Sequence, residues 1–204
     1  MNAVVTADTI EALKMEMDHA FEVFSDRHAE SEAAEKKLQT AAQALSSLNV
    51  RRRNVGRTVE SLAQSFIQSL MSDPSAKIDA SKVTAAREEF SILDAAMAHL
   101  RIGGYADSER AHLVTIVGEM ESQLVFEQAR LAHHEGQVAM LLSQAVALDG
   151  SIELAKPGEV STQLRELCAD IRDKLTRARD AVHEFDQRLA ADRARHESSR
   201  GESI

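Results

Sequence analysis

Apolar residues recur along this chain at alternating spacings of three and four, with almost no punctuation between them. Counting by sevens from Ile10 picks out Ile10, Met17, Phe24, Ser31, Leu38, Leu45, Arg52, Val59 and Phe66. The same count from Leu13 gives Leu13, Ala20, Arg27, Ala34, Ala41, Leu48, Val55, Leu62 and Ser69. Fourteen of these eighteen positions are apolar, in one register over nine heptads. A stripe that repeats every 3.5 residues for that long predicts a helix with one face laid along a partner helix. Asp8 followed by Glu11 marks its start and Pro74 its stop, so the helix is expected over 8–71, roughly 95 Å at 1.5 Å per residue.

Three further segments repeat the pattern. Val83, Ala86, Phe90, Leu93, Met97 and Leu100 make a short seam over 81–102. A longer one over 107–149 runs through Leu113, Val117, Met120, Leu124, Leu131, Val138, Leu141, Ala145 and Leu148. The last, over 159–197, uses Leu164, Leu167, Ile171, Leu175, Ala178, Val182, Phe185 and Leu189. In the third segment Val114, Ile116, Val125, Phe126 and Ala129 widen the stripe, which predicts contact from more than one side and a place at the centre of the bundle. The breaks fall at Ser72-Asp73-Pro74-Ser75, Gly103-Gly104, Gly150 and Lys156-Pro157-Gly158. Short connectors favour antiparallel neighbours, and Gly103-Gly104 reads either as a reversal or as a kink with the helix continuing. The fold class expected is all-α: long antiparallel coiled-coil-type helices forming one elongated helical bundle over 1–204, with a frayed tail at 198–204. No alternation of the β type appears.

Composition sharpens this picture. Aromatic residues make up 3% of the chain and there is no Trp, so the helices must meet through narrow aliphatic seams rather than around large ring anchors. Cys168 is the sole cysteine, which excludes an intrachain disulfide and a cysteine zinc cage and fits a reducing compartment. The N-terminal residues lack a basic stretch followed by an apolar one, and no run approaches the roughly 18 apolar residues that span a bilayer. The expected location is the cytoplasm.

Charge is unevenly spread. The net charge is −9, which on average repels phosphate backbones and anionic lipids. Residues 8–35 carry nine acids and two bases, whereas 36–57 carry six bases, Lys36, Lys37, Arg51, Arg52, Arg53 and Arg57, and no acid. These six cations are the candidate partner-binding residues. Glu119, Glu121, Glu127 and Glu135 make the third segment acidic, so an antiparallel contact of 36–57 with 119–135 would be complementary, as would an antiparallel homodimer through the first helix. The final segment balances nine acids with nine bases between Glu159 and Arg200. Asp170–Lys174, Asp173–Arg177 and Glu184–Arg188 there have the favourable acid-first spacing.

Candidate chemistry is thin. The spacing Glu-x-x-His that di-iron bundles use occurs at Glu16 to His19 and Glu109 to His112, with Asp180 to His183 as a variant. His19 lies off the seam, so that pair points away from the core. His134 and Glu127 occupy seam positions, where polar residues set helix alignment. Gly103-Gly104 lacks the preceding strand and glycine spacing of a phosphate loop. No motif ties the chain to a family whose function could be carried over. The expectation is therefore a non-enzymatic coiled-coil scaffold or adaptor, homodimeric or otherwise homo-oligomeric, that binds protein partners through helical surfaces without catalytic residues, metal or cofactors. The alternative is a peripheral binder of anionic membrane or nucleic acid through 36–57, which the overall negative charge disfavours.

Overall fold

The computed structural model describes residues 6–75, 80–147 and 157–201. They form four α-helices: α1 (Ala7–Ser72), α2 (Ser81–Ile102), α3 (Gly104–Ala147) and α4 (Pro157–Gly201). Among the described residues there is no strand, and the fold is an all-α bundle of long antiparallel helices. The predicted seam residue Leu148, the break at Gly150, the connector residue Lys156 and tail residues 202–204 lie outside the described residues, as does the side chain of Ala145.

The ends of the helices follow local chemistry. Thr6, not Asp8, caps α1: its hydroxyl accepts from the Thr9 backbone N–H at 3.3 Å, and its carbonyl takes the first helical bond from Ile10. Asp8 sits in the first turn, where a negative charge suits the helix dipole. Asp73 closes the other end, accepting from both the backbone N–H and the hydroxyl of Ser75. Gly103 is an interruption of one residue rather than a reversal. Its N–H still donates to His99 O at 3.0 Å, and its own carbonyl accepts from Asp107 N–H at 2.8 Å, so the helical ladder resumes at once.

Contacts divide the chain into two compact units, Met1–Ala34 with Ala111–Asp186, and Glu35–Arg110 with Gln187–Ile204. In the first unit, α1 and α3 run antiparallel. As the position on α1 rises from Ile10 and Leu13 through Phe21 and Phe24 to His28, the facing residue on α3 falls from Gly136 through Phe126 to Glu119. A Cβ at Gly136 would stand 2.9 Å from Leu13 Cδ1 and 3.0 Å from Ile10 Cδ1, so the bare glycine is what lets those two seam residues settle on the α3 backbone. α3 meets α4 in antiparallel order on another side, with Arg165 on Glu135 and Arg179 on Glu121. This is the two-sided contact that its wide stripe predicts. Ile116 and Phe126 are half-buried and Ala129 is buried, while Val114, Val125 and the seam residue Leu141 remain exposed.

The α4 seam needs one correction. Cys168 is buried to 2% exposure, whereas Leu167 is 36% exposed. Strict alternation of three and four through Leu164, Ile171, Leu175, Ala178, Val182, Phe185 and Leu189 demands position 168; choosing Leu167 breaks the spacing. Spacing outranks hydrophobicity here. Of the predicted intrahelical pairs, Asp170–Lys174 forms at 2.7 Å, while Arg177 turns to the Asp173 backbone carbonyl.

In the second unit, the latter half of α1 runs antiparallel to α2, with Arg51 on Glu89, Gly56 against Phe90 and Arg52 on Asp94. All six predicted α2 seam residues are covered, Leu93 most fully at 5% exposure. α1 is continuous through Gly56. The end of α4 belongs to this unit and stays helical to Gly201, so the predicted fraying from 198 is not seen at Ser198–Gly201. Arg193 supports that end by donating to Ile102 O at 3.1 Å and to Asp107 at 2.9 Å, giving a partner to a carbonyl beside the Gly103 interruption.

Candidate interaction surface

Sequence reading places six cations on α1 between Lys36 and Arg57, and the structure sorts them by heptad position. Arg52 is a seam residue. Its Nε lies 2.6 Å from Asp94 Oδ1 as an ion pair, though the N–H is not aligned as a hydrogen bond, and its guanidinium carbon sits 4.8 Å over the Phe90 ring. Gly56 makes that arrangement possible. A Cβ there would come within 3.3 Å of the Phe90 ring edge, so the missing side chain seats the ring beneath the arginine at a cost of about 1 kcal/mol in helix propensity. Arg51, one position earlier, donates from both Nε and an Nη to Glu89 Oε1, at 3.1 and 2.6 Å.

Within the second unit the basic stretch pairs with α2, which follows α1 closely and brings its own acids, Glu89 and Asp94, alongside. The α3 acids have partners within the first unit: Glu119 has His28 at 2.7 Å, Glu121 has Arg179 at 2.7 Å, Glu127 has Arg130 at 3.3 Å, and Glu135 has Arg165.

Lys36, Lys37, Arg53 and Arg57 are left exposed, and among the described residues no carboxylate pairs with them. Three of the four share the outer face of α1. Lys36, Gln43, Val50, Arg57, Gln64 and Met71 follow one another by sevens, with Gln39, Ser46, Arg53, Glu60 and Ile67 on the adjoining line, and all are exposed. Val50, Ile67 and Met71 are 54%, 58% and 81% exposed. Sequence reading concentrated on the seam and missed this line; applying the same sevenfold count to the outer positions would have revealed it.

Several polar groups lie inside the first unit. Burial pushes the Cys168 thiol up, Arg172 pulls it back and the Glu127 charge raises it further, so the sulfur stays a protonated, weak nucleophile. Glu127 is buried beside it. His112 Nδ1 and His134 Nε2 are covered atoms with no hydrogen-bond partner. No group of three His, Cys, Asp or Glu side chains among the described residues could hold a metal ion. Glu16 and His19 are both exposed. An open groove where α3 and α4 meet is lined by Val138, Ala139, Leu142 and Ser161 and bridged by the Arg165–Glu135 pair.

One contact in this unit carries a pH dependence. The imidazole of His28 is raised above its ordinary value, first by its hydrogen bond to Glu119, then by the Glu119 charge, with Glu32 adding and burial opposing. The folded chain thus holds this proton more tightly than the unfolded chain does. Its stabilisation is complete below the unfolded value of about 6.5 and is lost as pH climbs through the higher folded value. Melting temperature should fall between about pH 6 and pH 8 in the native chain and fall less in His28→Gln, as thermal scans by circular dichroism would read. An equal slope in both would remove His28 as the cause.

No helix among the described residues is long and apolar enough to cross a membrane. No protein-family model matches the chain, and no curated protein matches it.

Proposed function

We propose that this protein is a non-enzymatic helical scaffold or adaptor of the cytoplasm, which self-associates and binds protein partners through coiled-coil-type helix faces. One observation carries the reading. On α1 the seam is used up within each unit, while the outer face of its second half interleaves large apolar side chains, Val50, Ile67 and Met71, with arginines that have no partner among the described residues. Scattered exposed apolar residues are ordinary on a monomer, but recurrence along two adjoining lines beside unpaired guanidinium groups is the make-up of a protein-contact surface. Arginine and methionine are both favoured at such surfaces.

The anionic-polymer reading draws on the same cations. It is weaker because Arg51 and Arg52 are engaged by Glu89 and Asp94, leaving four dispersed charges on a chain of net charge −9. Phosphate-backbone affinity scales with the number of phosphates neutralised, so few free cations give little. The test compares quantitative capture by the native chain with capture by Val50→Asp/Ile67→Asp. Proteins enriched by the native chain and lost by the variant are expected. Binding of phosphatidylserine vesicles or duplex DNA in low salt, lost in Arg53→Glu/Arg57→Glu with protein capture unchanged, would favour the alternative.

A further inference from the structure

Within the second unit, α1 carries a second stripe on the side away from the seam that packs on α2. Val50, Arg53, Arg57, Glu60, Gln64 and Ile67 follow one another at alternating spacings of three and four, and all six are exposed. That alternation keeps one line of side chains against a neighbouring helix, as it does in the buried seam. Arg53, Arg57 and Glu60 have no ion-pair partner among the described residues, and Arg57 and Glu60, one turn apart, do not pair with each other. The order along the stripe is symmetric. An apolar residue stands at each end, Arg53 and Gln64 come next, and Arg57 and Glu60 flank the centre between Thr58 and Val59.

We propose that this stripe is covered by the same stripe of a second copy of the chain, antiparallel to it, with Arg57 of each copy against Glu60 of the other. The inference rests on the reading of the outer α1 face as a protein-contact surface, names its occupant and uses residues of the second unit alone. Complementarity selects that occupant and its register. In antiparallel order, Arg57 set on the second copy's Glu60 brings Val50 onto its Ile67 and Arg53 onto its Gln64, whose amide oxygen can accept from the guanidinium. A two-fold contact of this kind is isologous, so every pair occurs twice. Other arrangements lose the match. Sliding by one heptad sets Arg57 on Arg53 in one direction and on Ile67 in the other, and parallel order sets Arg57 on Arg57 and Glu60 on Glu60. The two Val50–Ile67 contacts take apolar surface out of water, while the central charges fix orientation and register. Exposed pairs are individually weak and screened by salt, so the association should be reversible and should fall as ionic strength rises.

Charge reversal with complementation tests this in solution. Arg57→Glu makes both central contacts acid on acid, and Glu60→Arg makes both base on base. Both sites are exposed, so each variant should keep its helix content, which circular dichroism checks. By sedimentation equilibrium the native chain should associate, and each variant alone should dissociate at least about tenfold more readily. An equimolar mixture of the two should recover association, and so should the double variant Arg57→Glu/Glu60→Arg on its own, because every central contact again joins opposite charges. A native chain that stays single at every concentration overturns the second copy as occupant, while loss of captured proteins by Val50→Asp/Ile67→Asp would still uphold the protein-contact reading. Single variants that associate like the native chain, or failure of either the mixture or the double variant to recover, show that self-association uses another face or register and overturn this one.

Discussion

Cys168→Asp is expected to destabilise the fold by about 3 kcal/mol or more, whereas Leu167→Asp, one residue earlier, should cost less than about 1 kcal/mol. The incoming residue is the same at both positions and both lie inside α4, where the loss of intrinsic helix propensity is larger for the leucine and so works against the expected order. What remains is the environment. Position 168 is 2% exposed and close enough to Glu127 to feel its charge, so a carboxylate there would be desolvated beside a like charge, with Arg172 only partly offsetting it. Position 167 is 36% exposed and leaves its carboxylate in water. Urea unfolding analysed by linear extrapolation reads both values. Equal losses, or the larger loss at Leu167, would mean that the α4 seam passes through 167 after all.

Phe126→Ala is expected to cost about 2–4 kcal/mol, most of it from the first unit. Phe126 lies 5.3 Å from Phe21 and 6.2 Å from Phe24 between ring centroids, nearly parallel to the latter at 4°. Three of the six phenylalanines thus gather where α1 crosses α3. In a chain otherwise held by narrow aliphatic and alanine seams, and in which no large side chain among the described residues is fully buried, this cluster is a concentrated source of contact energy. Truncating the shared ring removes both ring contacts at once. Hydrogen exchange followed by mass spectrometry should show faster exchange over the α1 residues of that unit, with α2 amides much less affected. Uniform acceleration across α1 and α2 would mean that the two compact units unfold as one.

The seam of α1 was legible because one sevenfold pattern ran its whole length. Of its eighteen predicted positions only Arg27 and Ser69 are exposed, and Arg27 still lays its aliphatic stem near Gly118 while pairing with Glu30. The α2 seam was equally plain. Pairing between helices was not. Several acidic stretches could neutralise 36–57, and that α2 supplies the partners of Arg51 and Arg52 is a tertiary fact that charge counts do not contain. Cys168 reads in the sequence as a small buried residue at the edge of the seam, and its burial agrees, but the seam position itself goes to it rather than to the more apolar Leu167, as the spacing requires. The one-residue interruption at Gly103 was ambiguous for a physical reason: a glycine pair serves a reversal and a kink alike, and only the ladder bonds from Gly103 to His99 and from Asp107 to Gly103 decide it. The outer line of α1 was available in the sequence, since exposed positions of a heptad follow from the seam once the seam is known.

The central claim, that these helices present a face for self-association, is tested most directly by the mass of the native chain in solution. Sedimentation equilibrium over a wide concentration range in low salt should yield twice the chain mass of 22.4 kDa, falling toward the single chain as salt is added. A single-chain mass at every concentration and salt level would contradict it.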